Sequence, residues 1–161
     1  MTFANPKQPG KKQIKTSQIL EKAVHLAKQK SGTQNANIEI SVDEDAEQIF
    51  ADSEQITEAL ANIICNAVES YLAKSGPVKI TAQSINEYKS VKITISDLGC
   101  GMDSQTLQKA TLPFFSAKPA GRKRGMGLAI AKRLIELNGG SLQIAAKPAE
   151  GTTATLLLPV R

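Results

Sequence analysis

The sequence predicts an α/β fold built as a two-layer sandwich, a mixed and mostly antiparallel sheet with its helices on one face. Three observations carry that expectation. Residues 78–86 and 90–97 alternate apolar and polar side chains, and Asn86-Glu87-Tyr88-Lys89 joins them as a hairpin. From Ile56 to Leu72 an apolar stripe, including Leu60, Ile63, Ile64 and Ala67, recurs at helical spacing. The regular strand–helix alternation that a parallel doubly wound sheet needs is absent.

The elements follow in order. Residues 1–15 (MTFANPKQPGKKQIK) carry Lys, Gln, Pro and Gly with little that is apolar, and read as a linker or terminal tail ahead of one domain, 16–161. An amphipathic helix covers about Ser17–Lys30, with Ile19, Leu20, Ala23 and Ala27 on one side, and Ser31-Gly32 ends it. Ile38–Val42 alternates as a strand, and Gln48–Ala51 is a short second one. Asp52 or Ser53 caps the long helix, which runs to about Lys74 before Gly76-Pro77 stops it. After the hairpin a short helix spans about Asp103–Ala110. Residues 111–124 form an irregular stretch with two prolines, a glycine and four basic residues. A helix over about Met126–Leu137 ends at Gly139-Gly140, and strands near 141–146 and 152–158 complete the chain.

At 161 residues, 41% hydrophobic and 22% charged, the chain can bury one sizeable core. No apolar run reaches the roughly 18 residues of a membrane span, and no signal peptide is visible. Cys65 and Cys100 match no metal-ligand spacing and read as two thiols in a reducing compartment. The net charge of +5 raises nucleic acid as a partner, but the chain is only 4% aromatic and does not interleave aromatics with its basic residues, which argues against such a module.

One carboxylate breaks the pattern. In Val91-Lys92-Ile93-Thr94-Ile95-Ser96-Asp97, the apolar residues share a face and Asp97 falls in phase with them. A core-side carboxylate only accepts hydrogen bonds and needs a donor. That donor is either the start of the following helix or an exocyclic amine such as N6 of adenine. Asp97 opens into Leu98-Gly99-Cys100-Gly101-Met102, whose glycines serve a positive-φ turn or a close approach of backbone to ligand. Asn62 and Asn66 lie one turn apart beside the apolar stripe. They are boundary asparagines facing solvent, or amide oxygens facing a hard cation or phosphates. Gly125-Met126-Gly127-Leu128 opens a helix whose N–H groups and dipole suit an anion. Lys118, Arg122, Lys123 and Arg124 just upstream are a solvated basic loop or a lid over phosphates. Neither GxxxxGK[ST] nor GxGxxG occurs.

Together these segments resemble the GHKL superfamily of gyrase, Hsp90, histidine kinases and MutL. Asn62-Ile-Ile-Cys-Asn66-Ala67 resembles the N box, Asp97-Leu-Gly99-Cys-Gly101-Met102 the G1 box, and Gly125-Met-Gly127-Leu128 the G2 box. Pro113-Phe114-Phe115-Ser116-Ala117-Lys118 resembles the F box characteristic of sensor histidine kinases. Gly151-Thr152-Thr153 before Leu156-Leu157-Leu158-Pro159 resembles the last glycine box and terminal strand. Five boxes in family order imply the Bergerat ATP-binding fold, and most closely the catalytic ATP-binding domain of a two-component sensor histidine kinase. The resemblance implies ATP and Mg²⁺ as cofactors. Asn66 would hold the metal and Asn62 would support it or the phosphates. Asp97 would accept from adenine N6, with Thr152 at the same edge and Gly99, Gly101 and Met102 along the ring. Gly125, Met126, Gly127 and Leu128 would face the phosphates, with Lys118, Arg122 and Lys123 as lid cations. Asn62, Asn66 and Lys118 are the implied catalytic residues.

Three departures shape the implied chemistry. Hydrolytic relatives carry a glutamate one turn before the metal asparagine; here that residue is Asn62, which cannot activate water as a carboxylate does. Glu58 lies a further turn back. The implied reaction is therefore transfer to a protein side chain. Many family kinases have a basic residue and a tyrosine after the N box, where this chain has Glu69-Ser70, so phosphate charge falls to the lid. The chain's only histidine, His25, has no His-Glu motif around it, so the phosphoacceptor is expected on a dimerisation domain outside this chain, with a response regulator downstream. This piece is then expected to be a monomer and the full kinase a homodimer with no nucleic-acid partner. It would be cytoplasmic, or the cytoplasmic part of a membrane-bound sensor. The alternative is a stand-alone superfamily member, an anti-sigma-type serine kinase or nucleotide-binding regulator, against which the Phe114-Phe115 pair argues.

Overall fold

The computed structural model describes residues 8–32, 36–71, 76–87, 89–112 and 127–161. Their elements run β1 (Lys12–Lys15), α1 (Thr16–Ser31), β2 (Ile38–Val42), a 3-10 turn (Glu44–Ala46), β3 (Gln48–Ala51), α2 (Ser53–Glu69), β4 (Val78–Ile85), β5 (Ser90–Asp97), α3 (Ser104–Lys109), α4 (Gly127–Leu137), β6 (Ser141–Lys147) and β7 (Gly151–Pro159). Alternation sets the sheet. In β5 every second residue is buried, Val91, Ile93, Ile95 and then Asp97, as the sequence pattern required.

Five strands form one mixed sheet in the order β2-β4-β5-β7-β6. β2 runs parallel to β4, and the other three pairings are antiparallel. α2 is the central helix: it packs between α1 and α4 and lies over β5. Its stripe supplies Ile56, Leu60 and Ile64 to a core completed by Ile80, Ile93, Ile95, Leu156 and Leu158, all at most 1% exposed. Each such side chain contributes about 1.5–3 kcal/mol of burial. This is the expected two-layer sandwich.

The helices that present the site are tied together at their far ends. Asp52 caps α2 by accepting from the Gln55 N–H at 3.0 Å. Asn138, fully buried just past α4, accepts from the Asp52 N–H at 2.8 Å and donates to Gln55 Oε1 at 2.9 Å and to the Leu134 carbonyl at 2.8 Å. One side chain thus closes α4 and pins the start of α2 beside it.

Two expectations are corrected. Residues 12–15, read as part of a linker, form β1, which pairs antiparallel with β3 so that Ile14 faces Ile49. A long-range ladder defines this strand, not a local apolar pattern. α2 ends at Glu69 rather than near Lys74, which lies outside the described residues. The Ser70 hydroxyl bonds the Ala67 carbonyl at 2.6 Å, and the Ser70 N–H is shared between Asn66 and Ala67 carbonyls, which turns the chain out of the helix.

Candidate functional site

β5 ends on Asp97, and the antiparallel register places Thr152 of β7 directly opposite it. Both are buried, 5% and 7% exposed. Asp97 Oδ1 accepts the Gly99 N–H at 2.9 Å and the Thr152 N–H at 3.3 Å. Backbone dipoles thereby compensate a carboxylate taken out of water. Of the two partners open to Asp97 from sequence, the helix cap falls away: α3 is capped by Asp103, which accepts from the Thr106 N–H at 2.7 Å. Thr106 holds the Asp103 carboxyl below its ordinary value.

The loop after Asp97 is clamped on both sides. The Leu98 N–H donates to the Tyr71 hydroxyl at 2.7 Å, and that hydroxyl donates to the Pro77 carbonyl at 2.6 Å. The Cys100 N–H reaches the Ser70 carbonyl at 3.0 Å, and the Cys100 carbonyl accepts from Ala149 at 2.7 Å. The loop therefore bridges the end of α2 and the β6–β7 turn. Two glycines are required for this. Gly101 has φ +66°, and a Cβ there would strike the Lys147 carbonyl; a Cβ on Gly99 would strike Ser70.

Below this loop a cleft is lined by Ile63, Asn66 and Ala67 of α2, Ile95 and Asp97 of β5, Leu128 of α4, Ile144 of β6, and Thr152 and Ala154 of β7. Its walls are apolar, and its polar groups are one amide, one carboxylate and one hydroxyl. Such a lining suits a flat heterocycle whose faces are apolar and whose edge carries hydrogen-bonding groups.

Asn62 lies one turn back along α2 and is 8% exposed. Its Oδ1 accepts from Lys30 Nζ at 3.4 Å. It faces the start of α4: a Cβ built on Gly127 would stand 4.0 Å from the Asn62 Cβ and meet nothing closer among the described residues. Gly127 is also not left-handed. Neither backbone conformation nor a described neighbour demands glycine there, in contrast to Gly101. Among the described residues no group of three His, Cys, Asp or Glu side chains could hold a metal ion; the Asn66 amide oxygen in the cleft is of a ligand type that suits a hard cation.

The structure thus brings Asn66, Asp97, Leu128 and Thr152 into one cleft, with Gly99 and Gly101 in the loop above it and Asn62 and Gly127 beside it. Met102 is half-buried and is not part of the lining. Lys118, Arg122, Lys123, Arg124, Gly125 and Met126, and the segment 113–118, lie outside the described residues. Sequence reading missed the apolar walls, although a signal was present: Ile95 and Ala154 stand two residues from Asp97 and Thr152 on the same strand faces. It also missed Tyr71 as a strut and Lys30 altogether.

Residues 51–161 match the family of histidine kinase-, DNA gyrase B-, and HSP90-like ATPases. The chain belongs to this ATPase family. It is similar to the signal transduction histidine-protein kinase AtoS of Escherichia coli K12, at 29% identity over 160 residues that cover 99% of this chain and 26% of AtoS. It is similar to the sensor histidine kinase ZraS of the same organism, at 28% identity over 142 residues that cover 88% of this chain and 30% of ZraS. The chain therefore spans between a quarter and a third of the length of these curated relatives. Its fold is that of the mycobacterial sensor histidine kinase MprB, with TM-score 0.76 at 24% identity over 93% of this chain and 97% of that one. It also matches full-length ShkA, solved in complex with AMPPNP, with TM-score 0.80 at 22% identity over 98% of this chain and 33% of that one. No helix among the described residues of this ATPase-family chain is long and apolar enough to cross a membrane.

Proposed function

We propose that this chain is the Mg-ATP-binding catalytic domain of a sensor histidine kinase, and that it donates the γ-phosphoryl group to a histidine on a dimerisation domain outside the chain. The observation that carries the proposal is the meeting of Asp97, Thr152 and Asn66 around one apolar cleft. The adenine N6 amine donates to the Asp97 carboxylate, and the Thr152 hydroxyl addresses the same edge. The polyphosphate runs along α2 from Asn66 towards Asn62 and the start of α4, where backbone N–H groups and the helix dipole favour negative charge. Gly127 keeps that approach clear, and the basic run Lys118 and Arg122–Arg124 supplies lid cations.

The donor set fits a metal that arrives with the nucleotide, since a Mg²⁺ ion coordinated mostly by phosphate oxygens and water needs little beyond the Asn66 amide. When bound it neutralises charge on the phosphates. The chain's own residues position the donor and stabilise its charge, which is most of what phosphoryl transfer requires. Asn62, lacking the basicity to activate water, favours transfer over hydrolysis. The partners are the dimerisation and phosphoacceptor domain of the same kinase and a response regulator, with a cytoplasmic setting for this piece and a homodimer for the full kinase.

Phosphotransfer in trans tests this. The domain is mixed with γ-labelled ATP, Mg²⁺ and a separately supplied dimerisation helix pair carrying the histidine of a similar kinase. Label on that histidine is expected. Nucleotide binding without any label on the histidine would make the domain a passive binder and overturn the kinase assignment.

A further inference from the structure

α1 ends beside the asparagine pair of α2. Lys28 and Lys30 both lie in its last turn, where the helix dipole favours any cation. Lys30 does something more specific: it crosses to α2 and bonds the amide oxygen of Asn62 at 3.4 Å. Asn62 in turn faces Gly127 at the start of α4. The α2 position that is basic in the resembled kinases is Glu69 here, so that helix brings no cation of its own after the asparagine pair.

We propose that Lys30 is a phosphate-binding residue of the ATP site and contacts the terminal phosphate from α1. The inference rests on the ATP reading above and adds a residue from outside the family match, which begins at residue 51. Position along α2 gives the register. Asn66 lines the cleft for the base, and Asn62 lies about 6 Å farther along the helix axis. A cation at Asn62 therefore addresses the far end of a triphosphate, not the base. The lysine ammonium has three donors on a flexible stem, so it can hold Asn62 and a phosphate oxygen together or move between them without shifting α1. ATP gains this contact, and ADP, one phosphate shorter, does not.

The test is calorimetric titration of the full chain, in Mg²⁺, with non-hydrolysable ATP analogue, ADP and adenosine. Lys30→Met is expected to weaken the ATP analogue about tenfold while ADP and adenosine change less than about twofold. Lys30→Arg is expected to restore the ATP analogue, and Lys28→Met to have no effect on any of the three. Unchanged affinity for the ATP analogue in Lys30→Met would reduce Lys30 to a surface contact with Asn62. Equal losses for all three ligands, with a lowered melting temperature, would reduce it to a packing role. Wild-type chain that binds none of the three ligands would overturn the ATP reading itself, whereas wild-type binding with an indifferent Lys30→Met overturns only this assignment.

Discussion

The cleft around Asp97 and the region beside it around Asn62 are built on different principles. Around Asp97 the polypeptide holds itself: two backbone N–H groups fix the carboxylate, Tyr71 and Ser70 hold the following loop, and the backbones approach so closely that only glycine fits at 99 and 101. Beside the cleft Asn62 meets Lys30 through one long contact, and a Cβ on Gly127 would meet only the Asn62 Cβ, at 4.0 Å, among the described residues. Strand ends and a clamped loop give fixed geometry, which recognition of a rigid base needs. Helix ends and a flexible lysine give charge that adapts, which suits a phosphate chain whose terminal group must leave.

The largest expected effect breaks the fixed region. Asp97→Asn should weaken adenine-nucleotide binding on the order of a hundredfold, because a charged acceptor to N6 is lost. The fold should survive, since an amide oxygen still accepts from Gly99 and Thr152. Calorimetry with a melting curve reads both, and unchanged affinity would remove Asp97 from base recognition. Next comes a pair of alanine substitutions. Gly101→Ala should cost about 2–3 kcal/mol of stability, from positive φ and collision with the Lys147 carbonyl. Gly127→Ala should leave stability within about 1 kcal/mol, or raise it, since alanine favours helix. It should still weaken binding of the ATP analogue. Equal stability losses in denaturant melts would erase the distinction between the two regions. Asn66→Ala should remove most of the Mg²⁺ dependence of binding, an effect of about tenfold; affinity that still rises with Mg²⁺ as in wild type would contradict the metal role.

The smallest effect lies on α3, just past the clamped loop. The Asp103 carboxyl is held below its ordinary value of 3.8, chiefly by the Thr106 N–H. A depressed folded value means the cap is fully present above 3.8 and is lost as pH falls through the lower folded value. The protection factor of the Thr106 amide, corrected for the intrinsic exchange rate at each pH, should fall in that acid window while the global melting temperature barely moves, because the cap is exposed. Protection that persists well below it would show that packing, not the cap, holds α3.

The fixed region was the more legible in sequence. A period of two placed Asp97 on the core face without any structure, whereas the pairing of β5 with β7, which sets Thr152 opposite it, emerged only from the fold. Direction was not legible: alternation looks the same in either sense, so the parallel β2–β4 pair emerged only from the fold. β1 escaped because Lys12-Gln13-Ile14-Lys15 has one apolar residue, and β3 is what makes it a strand. α2 was drawn too long because its apolar stripe continues through Tyr71 and Leu72. A serine hydroxyl bonding back to Ala67 ends it, and Tyr71 becomes a strut for the loop. Lys30 left no mark at all, since its partner is 32 residues away and the pairing exists only once α1 lies against α2.

The most direct measurement needs no substitution. Wild-type chain is titrated, in Mg²⁺, with ATP and with inosine triphosphate, which carries a carbonyl where adenine carries the N6 amine. A carboxylate that accepts from N6 must reject the carbonyl, so ATP should bind tighter on the order of a hundredfold. Equal affinities would contradict base recognition by Asp97.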